Sequence, residues 1–295
     1  MRLCAFLTLN DPAGYVIDDD LTYEPLSQLG WRVEAIPWRR PGVAWDTYDA
    51  VVIRSTWDYT TAPEAFLNVL SDIERAGTPL LNRLDLVRWN IEKTYLHDLA
   101  GRGVPVVPTV WRDRLSPGEL PGLFEEVGAA EVVIKPVIGA NARGAYRLDG
   151  RGAPTQTAAI EAYYANRALM AQPFLRSVTT EGEFSLSYFN GMHSHTILKT
   201  PQAADFCVQV EHGGSVRLVQ ADDALLAAGD TALRALRESP LYARADFVRT
   251  NEGNGFWLME LELIEPSLYL RLDPHAPGRF ARAFHQWARQ HSPGS

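Results

Sequence analysis

Three carboxylates stand close together near the C-terminal end of the chain. Asp246 belongs to Arg244-Ala245-Asp246, and Glu260 and Glu262 belong to Glu260-Leu261-Glu262. Between them lies Asn251-Glu252-Gly253-Asn254-Gly255, a turn signal flanked by two apolar-rich runs. An antiparallel hairpin centred near Gly253 sets Asp246 opposite Glu260. Strand alternation then puts Glu260 and Glu262 on one face. Like charges so placed repel unless something positive sits between them. Oxygen-only ligands on a rigid sheet suit Mg²⁺, with phosphate oxygens completing its shell. The other reading is a solvated acidic sheet face. Arg244 on the face of Asp246, and Pro266-Ser267 just after the carboxylates, weigh against it.

Phosphate-type signals occur upstream. Glu131–Pro136 reads as a buried strand ending in Lys135, and a Gly/Ala-rich loop, Ile138–Ala145, leads into a strand over Tyr146–Leu148. Glycines let successive backbone N–H groups approach an anion. The loop is neither a Walker motif nor a dinucleotide fingerprint, and by itself fits an ordinary hairpin. Arg54-Ser55-Thr56 ends a predicted strand, where open α/β sheets bind ligands, and Arg pairs well with a carboxylate. Capping hydroxyls are the plainer reading there. Lys93 in the helical pattern Trp89–Leu96 reads by itself as solvated. His193 and His195 alternate on one strand and read as hairpin residues. Cys207 has no His partner in sequence, and Asp18, Asp19 and Asp20 read as a helix N-terminal charge cluster.

The elements that must position these residues follow from periodicity. Leu3–Leu9, Arg32–Ile36 and Ala50–Arg54 are predicted strands. Leu21–Leu29 and Pro63–Arg75 are predicted helices, so the first part is a parallel α/β sheet. Pro79–Asn82 is a further short strand, and Leu169–Leu175 runs from strand into linker. Gly182–Phe189 alternates Glu183, Ser185 and Ser187 against Phe184, Leu186 and Tyr188. Asn190-Gly191 turns it into Met192–Lys199. A strand over Phe206–Val210 and helices over Thr155–Tyr164, Asp222–Glu238 and Pro274–Gln290 complete the reading.

Composition narrows the class. The 295 residues are 46% hydrophobic and 22% charged, with net charge −8. That is an ordinary globular chain, able to bury a sizeable core. No Lys/Arg run stands out, so nucleic acid and anionic membrane are poor partners. The two cysteines, Cys4 and Cys207, argue against a disulfide framework. The opening residues read as a strand rather than a signal peptide, and no apolar run reaches transmembrane length, which together predict a cytoplasmic enzyme. Its expected partners are small molecules, with homo-oligomerisation left open.

Arg244-Ala245-Asp246, followed by Glu260-Leu261-Glu262 and Pro266-Ser267, resembles the metal-binding end of ATP-grasp ligases, the superfamily of glutathione synthetase and D-alanine–D-alanine ligase. The resemblance covers residues 80–290 well and the N-terminal part loosely. It implies an ATP-grasp fold in three parts: an N-terminal α/β substrate-side subdomain (1–102), a small lobe with a Gly-rich lid (103–175), and a large lobe carrying the metal and phosphate site (176–295). It implies ATP and Mg²⁺ as cofactors, with Asp246, Glu260 and Glu262 as metal ligands. Lys93 and Lys135 would contact the phosphates, and Gly139 and Gly144 would belong to the lid. Gln172, Phe174 and Leu175 would form the adenine hinge, and Glu183 would hold the ribose. Arg244 and Lys199 would neutralise the transferring phosphoryl group, and Arg54, Ser55, Thr56 and Ser267 would face the substrate.

Departures from the family pattern matter too. Glu262 stands where Asn is usual, and Cys207 and Ser185 stand where glutathione synthetase has arginines. Arg54–Tyr59, Gly182–Leu186, Phe189-Asn190-Gly191, Asp205–Gln209 and Glu260–Pro266 look most like the branch of O-ureido-serine cyclo-ligases of D-cycloserine biosynthesis. The implied activity is activation of a small amino-acid-like carboxylate as an acylphosphate for attack by a nitrogen nucleophile. A glutathione synthetase-like ligase with another substrate, or a non-catalytic nucleotide sensor, are the alternatives.

Overall fold

The computed structural model describes residues 1–139, 144–150, 154–201, 214–250, 253 and 255–290. The expected strand at Phe206–Val210, the Cys207 departure and most of the 251–255 turn lie outside them, as do positions 140–143 of the Gly-rich loop. Among the described residues no helix is long and apolar enough to cross a membrane.

Among the described residues the chain builds three sheets in succession. Strands β1 (Arg2–Thr8), β2 (Trp31–Pro37), β3 (Ala50–Ser55) and β4 (Leu80–Leu81) form a parallel sheet in the order β2-β1-β3-β4. Its connections include helices α1 (Tyr23–Gln28) and α2 (Pro63–Arg75), and α3 (Leu84–Asn90) follows β4. Both sheet faces are covered, which is why the central strands read as continuous apolar runs. Ala5, Leu7, Val51 and Ile53 pack with Phe66, Leu70 and Ile73 of α2 and Val87 of α3. Cys4, Phe6, Ala50 and Val52 face the other way, toward Leu26 of α1 and Phe280 and Phe284 near the C-terminus.

After α4 (Tyr95–Gly101) comes a second, antiparallel sheet of β5 (Val110–Arg112), β6 (Val132–Pro136), β7 (Tyr146–Leu148) and β8 (Leu169–Pro173), in the order β5-β8-β6-β7. Helices α5 (Gly122–Val127) and α6 (Pro154–Tyr164) close its core through Leu123, Ile160 and Tyr164. Backbone bonds between Leu258 and residues Pro105 and Val107 tie this lobe to the third sheet.

The third sheet is also antiparallel. Past the short α7 (Ser177–Thr180), it comprises β9 (Glu183–Phe189), β10 (Met192–Thr200), β11 (Ser215–Val219), β12 (Tyr242–Arg249) and β13 (Phe256–Glu262), in the order β11-β10-β9-β12-β13. Helix α8 (Asp223–Arg234) precedes β12. It starts where the Asp222 side chain accepts the Leu225 N–H, a standard N-cap. Helix α9 (Ala276–Gln290) ends the described chain. Phe184, Leu186 and Tyr188 pack with Ala243, Ala245 and Phe247 against residues of α4 and α8. The alternate residues of the same strands carry the polar and charged side chains.

One predicted helix divides. The pattern over Trp89–Leu96 is two helices, α3 ending at Asn90 and α4 starting at Tyr95. The reason is tertiary. Asn90 donates to the Leu261 carbonyl at 2.8 Å and accepts the Leu263 N–H at 2.9 Å, bridging to the end of β13. The Lys93 N–H then goes to the Val137 carbonyl rather than to its own helix. Strand β11 was not anticipated from sequence. It lies at the sheet edge and its side chains are mostly exposed or half-buried, so it carries little apolar signal.

Candidate active site

A cavity opens where the three sheets meet, lined from all three parts of the chain. Its floor is the polar face of the third sheet. In β12–β13 Asp246 pairs with Glu260 and Arg244 with Glu262, the register expected from the turn, with a bulge after Asp246. On the other side of β12, Asp246 lies beside Ser185 and Arg244 beside Ser187, and Lys199 of β10 pairs with Glu183 of β9. Strand alternation therefore puts Glu183, Ser185, Lys199, Arg244, Asp246, Glu260 and Glu262 on one surface.

The charges interlock. Arg244 donates to Asp246 (Nη2 to Oδ2, 2.8 Å), to Glu262, and to the Ser267 carbonyl at 3.2 Å. Lys199 pairs with Glu183 and lies 3.5 Å from Asp246. Lys93 pairs with Glu260 and donates to the Gly139 carbonyl at 3.1 Å. Asp246 also accepts from the Ser185 hydroxyl. Lys135 lines the same cavity, but has no hydrogen-bond or ion-pair partner among the described residues.

Protonation follows from these partners. Burial would raise the Asp246 carboxyl, yet Arg244, Lys199 and the Ser185 hydrogen bond outweigh it and hold Asp246 well below the carboxylate range. Glu260 is likewise lowered, the cations Lys93 and Lys135 overcoming burial. Burial pushes Glu262 up to about 7, with Glu260 and Asp246 adding to the rise against Arg244. Lys199 is held above its usual value because Asp246 and Glu183 outweigh burial, whereas burial draws Lys135 down. Ligand atoms of Asp246, Glu260 and Glu262 lie within 4.8 Å of one another. An all-oxygen set whose third member resists ionisation carries more negative charge than its neighbours relieve, which suits a hard divalent cation.

The second lobe supplies the opposite wall. Gly139, Gln172, Phe174 and Leu175 line the cavity. Gln172 donates to the Thr109 hydroxyl at 2.9 Å, and Arg147 lies over the Phe174 ring at 3.6 Å. Gly144 has φ +78°, and a Cβ there would meet the Tyr163 hydroxyl at 2.5 Å, so that bend requires glycine. Gly144 is not among the lining residues, although Ala145 is.

The expected substrate group divides in two. Ser267 lines the cavity, but Arg54, Ser55 and Thr56 do not. Arg54 is buried beside Asp19 at 2.9 Å and reaches the Pro266 carbonyl at 3.4 Å. Ser55 bonds the Thr8 hydroxyl at 2.9 Å. Asp19 is thus the buried partner of Arg54, and Asp18 pairs with Arg271, rather than both being simple helix-start charges. His195 bonds the Leu268 carbonyl and His193 the Thr196 hydroxyl, so both are structural.

Sequence reasoning missed several lining residues: Tyr15, Trp57, Tyr59, Glu265, Tyr269 and Arg271. Trp57 and Tyr59 follow Arg54–Thr56 directly, and Glu265 follows the metal-type carboxylates. Their place in those tracts was the available signal.

The chain resembles known proteins along most of its length. Residues 4–82 match the family described as D-cycloserine synthetase DcsG, N-terminal domain. The chain is 31% identical over 299 residues to the cycloserine biosynthesis protein DcsG of Streptomyces lavendulae, covering 96% of this chain and 98% of that protein. Among solved structures, the crystal structure of D-cycloserine synthetase DcsG superposes with TM-score 0.83 at 28% identity, over 97% of this chain and 99% of that one. The ATP-grasp ligase PsnB, complexed with a minimal precursor, Mg and ADP, superposes with TM-score 0.63 at 15% identity, over 97% and 98%; it shares the fold.

Proposed function

The chain belongs to the family of the cycloserine biosynthesis protein DcsG, and on that premise we propose that it closes a ring in an O-ureido-serine-type amino acid, using ATP and Mg²⁺. It is an ATP-grasp ligase that joins a carboxylate to a nitrogen in antibiotic biosynthesis. The observation that carries the ATP- and Mg²⁺-dependent chemistry is the gathering of Asp246, Glu260 and Glu262 against Lys93, Lys135, Lys199 and Arg244 in one cavity, and the likeness to DcsG supports the substrate class.

A carboxylate is a poor electrophile. The carboxylate oxygen attacks the γ-phosphorus of ATP, releasing ADP and forming an acylphosphate; a nitrogen nucleophile then adds to the acyl carbon, and the tetrahedral intermediate collapses with loss of phosphate. The barrier lies in the charge on the transferring group, and fixed cations in a closed site lower it most. Mg²⁺ held by Asp246, Glu260 and Glu262 would add positive charge at the phosphate oxygens. Lys135 and Lys93 bind phosphate from the lid side, next to Gly139. Arg244 and Lys199 face the group in transfer, and their ion pairs with Asp246 and Glu183 hold them in place. Gln172, Phe174 and Leu175 take the adenine and Glu183 the ribose, while the bend at Gly144 shapes the lid. Ser267 meets the substrate. Arg54 acts through the Pro266-Ser267 segment it supports, with Ser55 and Thr56 packing behind it.

The three parts 1–102, 103–175 and 176–295 serve as substrate side, lid lobe and metal lobe. Three separate sheets within those bounds support that division. The test is phosphate release from Mg-ATP across a panel of amino acids and amines that includes O-ureido-D-serine. Release that depends on O-ureido-D-serine is expected. Release that depends only on another panel member would replace the substrate, and no release from any member would remove the ligase reading.

A further inference from the structure

Five carboxylates line the cavity among the described residues: Glu183, Asp246, Glu260, Glu262 and Glu265. Four of them pair with a cation: Glu183 with Lys199, Asp246 and Glu262 with Arg244, and Glu260 with Lys93. Glu265 pairs with none among the described residues, although it is only 8% exposed. It also stands outside the metal-type cluster, which comprises Asp246, Glu260 and Glu262.

The surroundings of Glu265 are aromatic. Trp57 Nε1 donates to the Glu265 carbonyl at 2.8 Å and so fixes the backbone there. The Tyr15 ring packs on Trp57 at 5.1 Å, and the buried Tyr59 phenol faces the Glu265 side chain. The nearest cation, Lys93, is already paired with Glu260, so this buried carboxyl beside Trp57 and Tyr59 has no ion-pair partner of its own and is placed to receive a cation from outside. Mg²⁺ has its own ligands nearby. The remaining cation that an amino-acid-like substrate brings is its α-ammonium.

We propose that Glu265, framed by Trp57 and Tyr59, is the specificity-determining residue that binds the α-ammonium of the substrate whose carboxylate is activated. This rests on the ligase reading above and adds the recognition element of its acid substrate. The α-ammonium is one carbon away from the carboxylate, so a substrate reacting near Arg244 and Ser267 brings its ammonium to the same end of the cavity. Glu265 suits the bystander nitrogen and not the attacking one. A carboxylate stabilises the protonated amine, and a protonated amine has no lone pair with which to attack.

The experiment compares wild type with Glu265→Gln, which keeps shape and removes charge, and with Tyr59→Phe. Calorimetric titration in Mg-ADP measures binding of O-ureido-D-serine, D-serine and D-alanine, each against its counterpart lacking the α-amino group. Wild type should prefer the amino-bearing member of a pair by about 10- to 100-fold, as a charge-assisted hydrogen bond in a closed site would give. Glu265→Gln should abolish that preference while ADP and Mg²⁺ affinities stay unchanged. Tyr59→Phe should reduce it partly. A preference kept in Glu265→Gln, or no ammonium-dependent binding to wild type by any pair, overturns the proposal. A loss confined to Mg²⁺ affinity overturns it as well, by making Glu265 a metal ligand. The ligase reading is judged separately, by phosphate release from wild type alone.

Discussion

Lys135 and Lys199 share a cavity and are opposed in electrostatics. Burial draws Lys135 down, outweighing the attraction of Glu260, whereas Asp246 and Glu183 hold Lys199 above its usual value. Replacing the two should therefore do different things. Lys135→Ala removes a costly buried cation, so Tm should hold or rise while ADP affinity falls about tenfold or more. Unchanged ADP affinity by titration would take Lys135 out of the nucleotide site. Lys199→Met leaves Glu183 and Asp246 short of a cation, and breaking such a buried pair costs about 3–5 kcal/mol. Denaturant unfolding checks this, and a loss below about 1 kcal/mol would show that the pair is screened in solution. Asp246→Asn and Glu260→Gln keep shape and lose charge. Each should cut Mg-dependent ATP turnover by about 10² or more. Near-normal turnover in either variant would end its assignment to the metal.

Elements set these residues in place, and His195 shows how. Its Nε2–H donates to the Leu268 carbonyl, tying β10 to the segment that carries Ser267. Burial pulls its pKa down to about 4 from an ordinary 6.5, with Asp273 opposing and Arg279 and His193 assisting. The folded state thus keeps the ring neutral while the unfolded chain takes up a proton below 6.5. Stability should fall as pH drops from about 6.5 to 4, by about 3 kcal/mol in all. His195→Asn should flatten that slope in urea melts across this range, and an unchanged slope would assign it to other groups. The β12–β13 register was legible because a turn signal and period-two alternation fix it locally. Helix α2 was legible for a similar reason, with Pro63 at its start and an apolar stripe facing the sheet. The break between α3 and α4 was not, because Asn90 bonds the Leu261 carbonyl and the Leu263 N–H, 171 and 173 positions away. Nor was the retreat of Arg54 from the cavity, since its partner Asp19 and the Pro266 carbonyl meet it only in the folded chain. Residue types announced the carboxylates and lysines; which lysine pairs with which carboxylate is tertiary information.

At the scale of the whole molecule, three sheets meet at one cavity and each contributes wall residues, Tyr59 from the first part, Gln172 from the second and Asp246 from the third. A ligand there bridges the second lobe to the third sheet, whose backbone ties include the Leu258 bonds to Pro105 and Val107. Whatever binds the native cavity and not the unfolded chain stabilises the fold by mass action, about 2.7 kcal/mol at a hundredfold excess over Kd. For a chain of this size that is a rise of several degrees in Tm. The carboxylate cluster makes this rise depend on metal. Without a divalent cation, nucleotide phosphates would meet Asp246, Glu260 and Glu262 as like charges, with Lys135 the one cavity-lining lysine among the described residues that lacks a carboxylate ion pair and can offset them. ADP with Mg²⁺ should therefore raise Tm by several degrees, and ADP with a chelator by much less. Asp246→Asn should lose most of the difference between the two while its Tm without ligand is still measurable. Equal shifts with Mg²⁺ and with chelator, in wild type, would mean that the carboxylates and the nucleotide do not share a site.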